Sequence, residues 1–94
     1  ESVIMNKDHA RKKLEDKGYS NIVEVSWPKN HIKHEHSHSW DAEIVIIDGS
    51  IRIVVGSKEH LLKSGDEFKL KAHVKHSEYV GASGVTLLSV RPLA

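Results

Sequence analysis

The spacing of hydrophobic and polar residues changes once along this chain, at Gly18. Before it, Ala10 and Leu14 stand four apart in an otherwise charged stretch, the spacing of one helix face. Good helix formers fill Ala10 to Glu15, Asn6 or Asp8 can cap the start, and Gly18 supplies the stop. The predicted element is a surface helix running to about Lys17 and packed on one side of a sheet. After Gly18 the period drops to two. Ile22, Val23, Val25 and Trp27 predict a first strand that ends at Pro28. Ile32, His34, His36 and His38 then alternate with Lys33, Glu35 and Ser37, so the three histidines share one face of a strand. Further strands are predicted at Glu43 to Asp48, Ser50 to Val55, Glu59 to Lys63, Glu67 to Lys71, His76 to Val80 and Val85 to Val90. Asp48-Gly49 reads as a hairpin turn, and Gly56-Ser57, Ser64-Gly65-Asp66 and Gly81 to Gly84 read as the other connections. About eight short strands with regular turns predict an all-β, antiparallel double-sheet jelly roll or small β-barrel, with a short N-terminal helix.

Ninety-four residues suit one compact domain. Residues 1–20 are expected to form an N-terminal segment carrying the helix, and residues 21–94 the β-barrel domain. Met5-Asn6-Lys7-Asp8 reads like a start, with Glu1 to Ile4 as an extension. Fourteen Lys and Arg against thirteen Asp and Glu leave the chain close to neutral, so no nucleic acid and no anionic membrane surface is expected as a partner. The longest apolar runs, such as Ile44 to Ile47, are far too short for a membrane span, and no secretory signal is visible. There is no cysteine, which excludes disulfides and thiolate metal sites and fits the cytoplasm. Five aromatic residues are too few for a base-stacking platform.

Histidine changes the picture. Seven of the eight lie between His31 and His76, within the strand-rich part. His36-Ser37-His38 puts two imidazoles on one strand face about 6–7 Å apart at the backbone. Both can reach one ion at about 2.0–2.1 Å, and a third ligand must come from another strand. His76, at the start of a later strand, is the candidate. If His76 points inward, so does Glu78, two residues on, as a fourth ligand, a proton acceptor or the partner that sets a histidine tautomer. His34 is expected near the rim. His31, His60 and His73 read as surface residues.

These residues resemble the two motifs of the cupin superfamily over roughly residues 21–91. The first motif is a His-x-His pair, then a Glu, then a Gly at a hairpin, matched here by His36, His38 and Gly49. The second is a Gly, usually followed by Asp, with a Pro six residues on and a His eleven residues on. Gly65-Asp66 and His76 match it, while Lys71 holds the Pro position and His73 the place of a Gly two residues later. The stretch His36-Ser37-His38-Ser39-Trp40-Asp41 is similar to that of small stand-alone cupins with an N-terminal helix. The resemblance implies a divalent metal on His36, His38 and His76. It also implies a Glu ligand seven residues before the hairpin Gly, where this chain has Ala42.

Glu43 is the neighbouring carboxylate. Pairing strands around Asp48-Gly49 sets Ile46 opposite Ile51, Ile44 opposite Ile53 and Ala42 opposite Val55, all facing inward. Glu43 is then expected outside, near Arg52 and Val54, as the partner of a cation. Only a bulge between Trp40 and Glu43 would turn it inward.

Imidazole ligands suit Zn, Ni, Fe, Mn or Cu without choosing among them. The expected function is binding of one divalent metal inside the barrel by a small metal-dependent enzyme acting on a small molecule. The resemblance implies a dioxygenase, isomerase or decarboxylase, and alternation along the strand from His76 makes Glu78 the catalytic candidate. The alternatives are a non-catalytic small-ligand or metal-sensing module with a reduced site, and an interaction protein with vestigial histidines. A homodimer is expected, because the first strand, Asn21 to Trp27, reads as an edge that needs covering.

Overall fold

The computed structural model describes residues 5–90. The expected extension Glu1 to Ile4 and the last residues of the expected barrel, 91–94, lie outside them. Helix α1 spans Lys7–Asp16, and the Asn6 side chain caps it by accepting from the His9 amide at 3.1 Å. Six strands complete the fold: β1 (Ile22–Trp27), β2 (Ile32–His36), β3 (Ala42–Val55), β4 (Lys58–Lys63), β5 (Glu67–Leu70) and β6 (His76–Val90). All pairings are antiparallel.

The two long strands organise everything else. β3 and β6 pair along their length, from Ile44 opposite Ser89 to Val54 opposite Ser77. Each carries a different short strand on each half of its outer edge. β1 pairs with Val85 to Val90 and β2 with His76 to Tyr79, while β5 pairs with Ala42 to Val45 and β4 with Ser50 to Val55. The halves pack onto a shared core of Ile46, Ile51, Ile53, Leu62, Val80, Val85 and Leu87. This is an antiparallel jelly roll.

Helix α1 covers the outer face of one half only. Ala10 and Leu14, both fully buried, sit on Val45, Ile47, Leu88 and Val90. That half is therefore buried on both faces, which explains why Ile44 to Ile47 is an unbroken apolar run rather than an alternating one. The uncovered half does alternate, as in Ile51-Arg52-Ile53. Among the described residues no helix is long and apolar enough to cross a membrane.

Two predicted turns are not turns. Asp48-Gly49 lies inside β3, and Gly81 to Gly84 lies inside β6, so the predicted eight strands become six. Both places are bulges in which the register shifts. Ile46 pairs with Leu87 but Asp48 with Thr86, which leaves Ile47 extra on β3. Gly49 then pairs with Val85 but Ile51 with Val80, so Ser50 faces the whole of Gly81 to Gly84. Gly49 does take the left-handed backbone that the sequence suggests, at φ 79°, and its amide donates to Asp48 Oδ1 at 2.9 Å. The local turn chemistry is present, but it bends a continuous strand instead of reversing it.

The hairpin register is corrected accordingly. Ala42 pairs with Leu70, not Val55, and Glu43 pairs with Lys69 and does not neighbour Arg52 or Val54. Inside and outside survive this error, because alternation from Ala42 to Ile46 is independent of the path the chain takes beyond Ile46. Ala42 and Ile44 line the interior, and Glu43 points to the helix side.

A third bulge, in β2, corrects the shared face of His34, His36 and His38. Lys33 pairs with Glu78 and His36 with His76, so one extra residue sits on β2 between them. Lys33 lines the interior, while Ile32 and His34 are exposed. The strand ends at His36, and His38 lies in the loop between β2 and β3.

Candidate metal centre

The bulged end of β2 sets His36 directly across from His76, the first residue of β6. The loop after β2 returns His38 to the same place. Ring centroids are 4.3 Å apart for His36 and His76, 5.1 Å for His36 and His38, and 5.2 Å for His38 and His76. One nitrogen from each ring lies within 4.8 Å of the others. Small ring rotations bring such a trio to the spacing of a common ion with bonds of about 2.0–2.1 Å.

Two of the rings are held in a defined tautomer by the backbone just before them. His36 Nδ1 is 2.7 Å from the His34 carbonyl, and His76 Nδ1 is 3.1 Å from the Val74 carbonyl. A carbonyl only accepts, so each neutral ring carries its proton on Nδ1 and presents an Nε2 lone pair. His36 Nε2 is buried without a hydrogen-bond partner, because its 3.2 Å approach to Glu78 Oε2 lacks hydrogen-bond geometry. His76 Nε2 lies 3.5 Å from the same oxygen. With both rings neutral, two lone pairs and a carboxylate oxygen converge with no donor among them. That arrangement is repulsive unless a proton or a metal cation lies between, and three imidazole nitrogens beside a carboxylate are a donor set that fits a divalent ion.

The loop between β2 and β3 is fastened at the cluster. The His73 amide donates to the His38 carbonyl at 2.7 Å, and the Ala72 amide to Asp41 Oδ1 at 2.8 Å. The His38 ring stacks on Trp40 at 4.7 Å. His73 holds a left-handed backbone, at φ 67°, where the resembled motif has Gly. Glu78 is 8 % exposed and shares an interior cavity with His38 and His76. The cavity measures about 60 Å³, and Trp27, Ile44, Ile53, Phe68 and Leu87 wall it.

The remaining sequence candidates stay out of the cluster. His34 is exposed, His31 lies against Trp27 and His60 against Phe68. Ala42 stands at the cavity wall, where the resemblance calls for a carboxylate. One polar wall residue escapes prediction from the sequence. Lys33 lies in a polar stretch whose period of two points it outward, and only the bulge brings it in.

Glu43 belongs to a different network. It is 4 % exposed, and it accepts from Tyr19 Oη at 2.8 Å and from Lys17 Nζ. Lys17 also reaches Glu67 at 3.0 Å, which ties the end of α1 to β3 and β5. Burial opposes ionisation of Glu43 more than any other single effect. The hydrogen bonds from Lys17 and Tyr19, with the Lys17 charge, outweigh it and hold the carboxyl below its ordinary value. A depressed carboxyl stabilises the fold above its unfolded-state pKa, and that contribution is lost as pH falls through the depressed value. Glu43→Gln is therefore expected to flatten the loss of stability below about pH 4.5. It should cost about 1–3 kcal/mol at neutral pH. Urea titrations at a series of pH values check both, and an unchanged acid limb would refute the assignment.

Comparison with known proteins agrees with this architecture. A protein of Shewanella frigidimarina that contains a cupin-2 domain superposes with a TM-score of 0.67 at 15% identity, over 77% of this chain and 69% of that one. A conserved Streptococcus pyogenes protein of unknown function gives 0.63 at 26% identity, over 78% and 65%. A variant of Bacillus subtilis oxalate decarboxylase gives 0.68 at 20% identity, over 73% of this chain but only 20% of that one. This chain thus spans about two thirds of the first two proteins and a fifth of the third. Among curated proteins none matches. The family model described as Cupin domain matches residues 23–90, which hold the whole histidine cluster, and the chain belongs to the cupin family.

Proposed function

We propose that this cupin binds one divalent metal ion through His36, His38 and His76, and that it is a small metal-dependent enzyme acting on a small molecule. The observation that carries the reading is the convergence of the His36 and His76 Nε2 atoms on Glu78 Oε2 with no donor between them. When bound, the ion supplies Lewis acidity and leaves positions for a substrate or water, since three imidazoles do not complete its coordination. The Val74 and His34 carbonyls orient two of the rings. Glu78 has a carboxylate oxygen beside the cluster and inside the cavity, where it accepts or returns a proton of the bound molecule. Oxalate decarboxylase shares this fold, and reactions of the dioxygenase, isomerase or decarboxylase kind fit such a site.

Ala42 favours a second reading. It places a methyl group where the resembled motif supplies a carboxylate, which suits a reduced site that binds or senses without turnover. The proposal also takes the chain to be a cytoplasmic homodimer. Among the described residues no strand pairs with the outer edge of β1, and the exposed Ile32 and Leu61 lie on the sheet half that the helix leaves uncovered.

Metal analysis of protein purified without added metal tests the first point. About one ion per chain is expected, and a chelator should lower the melting temperature, because the ion binds only the folded state. Metal far below one per chain, with no thermal response to added Zn, Ni, Fe, Mn or Cu, would refute it. Turnover of candidate substrates by the metal-loaded protein then separates enzyme from binding module.

A further inference from the structure

We propose that Lys33 is the anion-binding residue of the cavity, and that the ligand it selects is a small monocarboxylate with an apolar body. The placement of Lys33 is independent of the three-histidine reading, and only the charge balance of the cavity rests on it.

Lys33 and Glu78 are direct partners in the pairing of β2 with β6, and both side chains line the cavity. They do not form an ion pair. Lys33 Nζ lies over the Trp27 ring, 4.9 Å from its centroid. Glu78 turns its oxygen to His36 and His76 instead. Among the described residues Lys33 has no carboxylate within ion-pair distance, and it is the one lysine or arginine in the lining of this cavity. Lys33 is a half-buried residue in the cavity lining with the Trp27 ring beside its ammonium, and an entering anion would be its charge partner there.

The charge of the site points the same way. Three neutral imidazoles leave the charge of a divalent ion intact, and Ala42 contributes none where the resembled motif has a carboxylate. Glu78 cancels one unit and Lys33 adds one back. The cavity therefore favours anions. A carboxylate has two oxygens, one for the ammonium and one for the side of the histidine cluster. A phosphate dianion would ask for more donors than Lys33 and the Ser89 hydroxyl provide. The apolar walls at Val25, Ile44, Phe68 and Leu87 favour an apolar body, and the cavity volume of about 60 Å³ keeps it small.

The test compares butyrate with its neutral isostere butyramide, by tryptophan fluorescence, on metal-loaded and metal-free protein. The wild type should bind butyrate about tenfold or more tighter than butyramide. Lys33→Met should lose that preference while keeping its metal content, and Lys33→Arg should restore it. Equal binding of the two probes overturns the proposal, as does wild-type butyrate affinity in Lys33→Met or the lack of saturable butyrate binding by the wild type. Metal analysis of the same samples keeps the two ideas separable. Protein that holds no metal but prefers butyrate through Lys33 refutes the metal reading and supports this one.

Discussion

Replacing His76 with alanine is expected to lower metal affinity by at least about a hundredfold, enough to leave the purified protein nearly free of metal. Partners that only orient a ligand cost roughly ten- to a hundredfold when removed, so a ligand itself belongs at or beyond the top of that range. The same result is expected for His38→Ala. Both remove one of three nitrogens that lie within 4.8 Å of each other. Glu78→Gln should have an intermediate effect of about tenfold, because it keeps the shape and removes the charge beside the cluster. Glu43→Gln should leave metal content unchanged, since Glu43 sits on the opposite face with Lys17 and Tyr19. Titration of each variant with a chromophoric metal competitor reads all four. Metal lost in Glu43→Gln but kept in Glu78→Gln would overturn the assignment.

The second large effect falls far from the histidines. Gly49→Ala is expected to cost about 3–4 kcal/mol, a large part of the roughly 5–14 kcal/mol available to a chain of this size. A Cβ built on Gly49 would lie 2.0 Å from the Gly84 carbonyl oxygen, 2.8 Å from its carbon and 3.0 Å from Val85 Cα. All three are backbone atoms, so no side chain can turn aside. Relief would mean moving β6 off β3 at the point where Gly49 pairs with Val85. The left-handed φ of 79° adds about 1–2 kcal/mol for any residue with a Cβ. Gly56→Ala is the control, because Gly56 also has a positive φ but nothing within 4 Å of its built Cβ. It should cost only the backbone part, about 1–2 kcal/mol. Urea midpoints at constant m distinguish the two. Equal losses would mean that the contact between the two bends carries no stability.

Much of this architecture can be read from the chain directly. Asn6, Ala10, Leu14 and Gly18 mark the helix and its buried face, because capping and spacing are local properties. The turns at Gly56-Ser57 and Ser64-Gly65 are local too, and they fall where the residues put them. The histidine cluster is legible for a different reason. His36 and His38 are close in sequence, and the step from Gly65 to His76 is the spacing of the motif that the chain resembles. Glu78 then comes from His76 by alternation alone.

The errors have one common cause, which is that a bulge leaves no clear mark in a single sequence. Asp48-Gly49 has the chemistry of a tight turn, yet whether a strand reverses or bends there depends on what lies alongside. Here Gly84 comes within contact of Gly49, and the excess residues Gly81 to Gly84 on β6 take up the bend. The bulge between Lys33 and His36 is equally silent. It moves Lys33 into the cavity and His34 out, against the visible period of two. The burial of Glu43 is also non-local, since its partners Lys17 and Tyr19 lie well before it in the chain. Residue order alone suffices for the helix, the β character and the grouping of three histidines, because each rests on neighbours or on fixed spacing. Strand continuity, the inward lysine and the shared direction of the Nε2 lone pairs are settled only in the folded chain. Those depend on register between segments tens of residues apart, where shifting by one residue exchanges inside for outside.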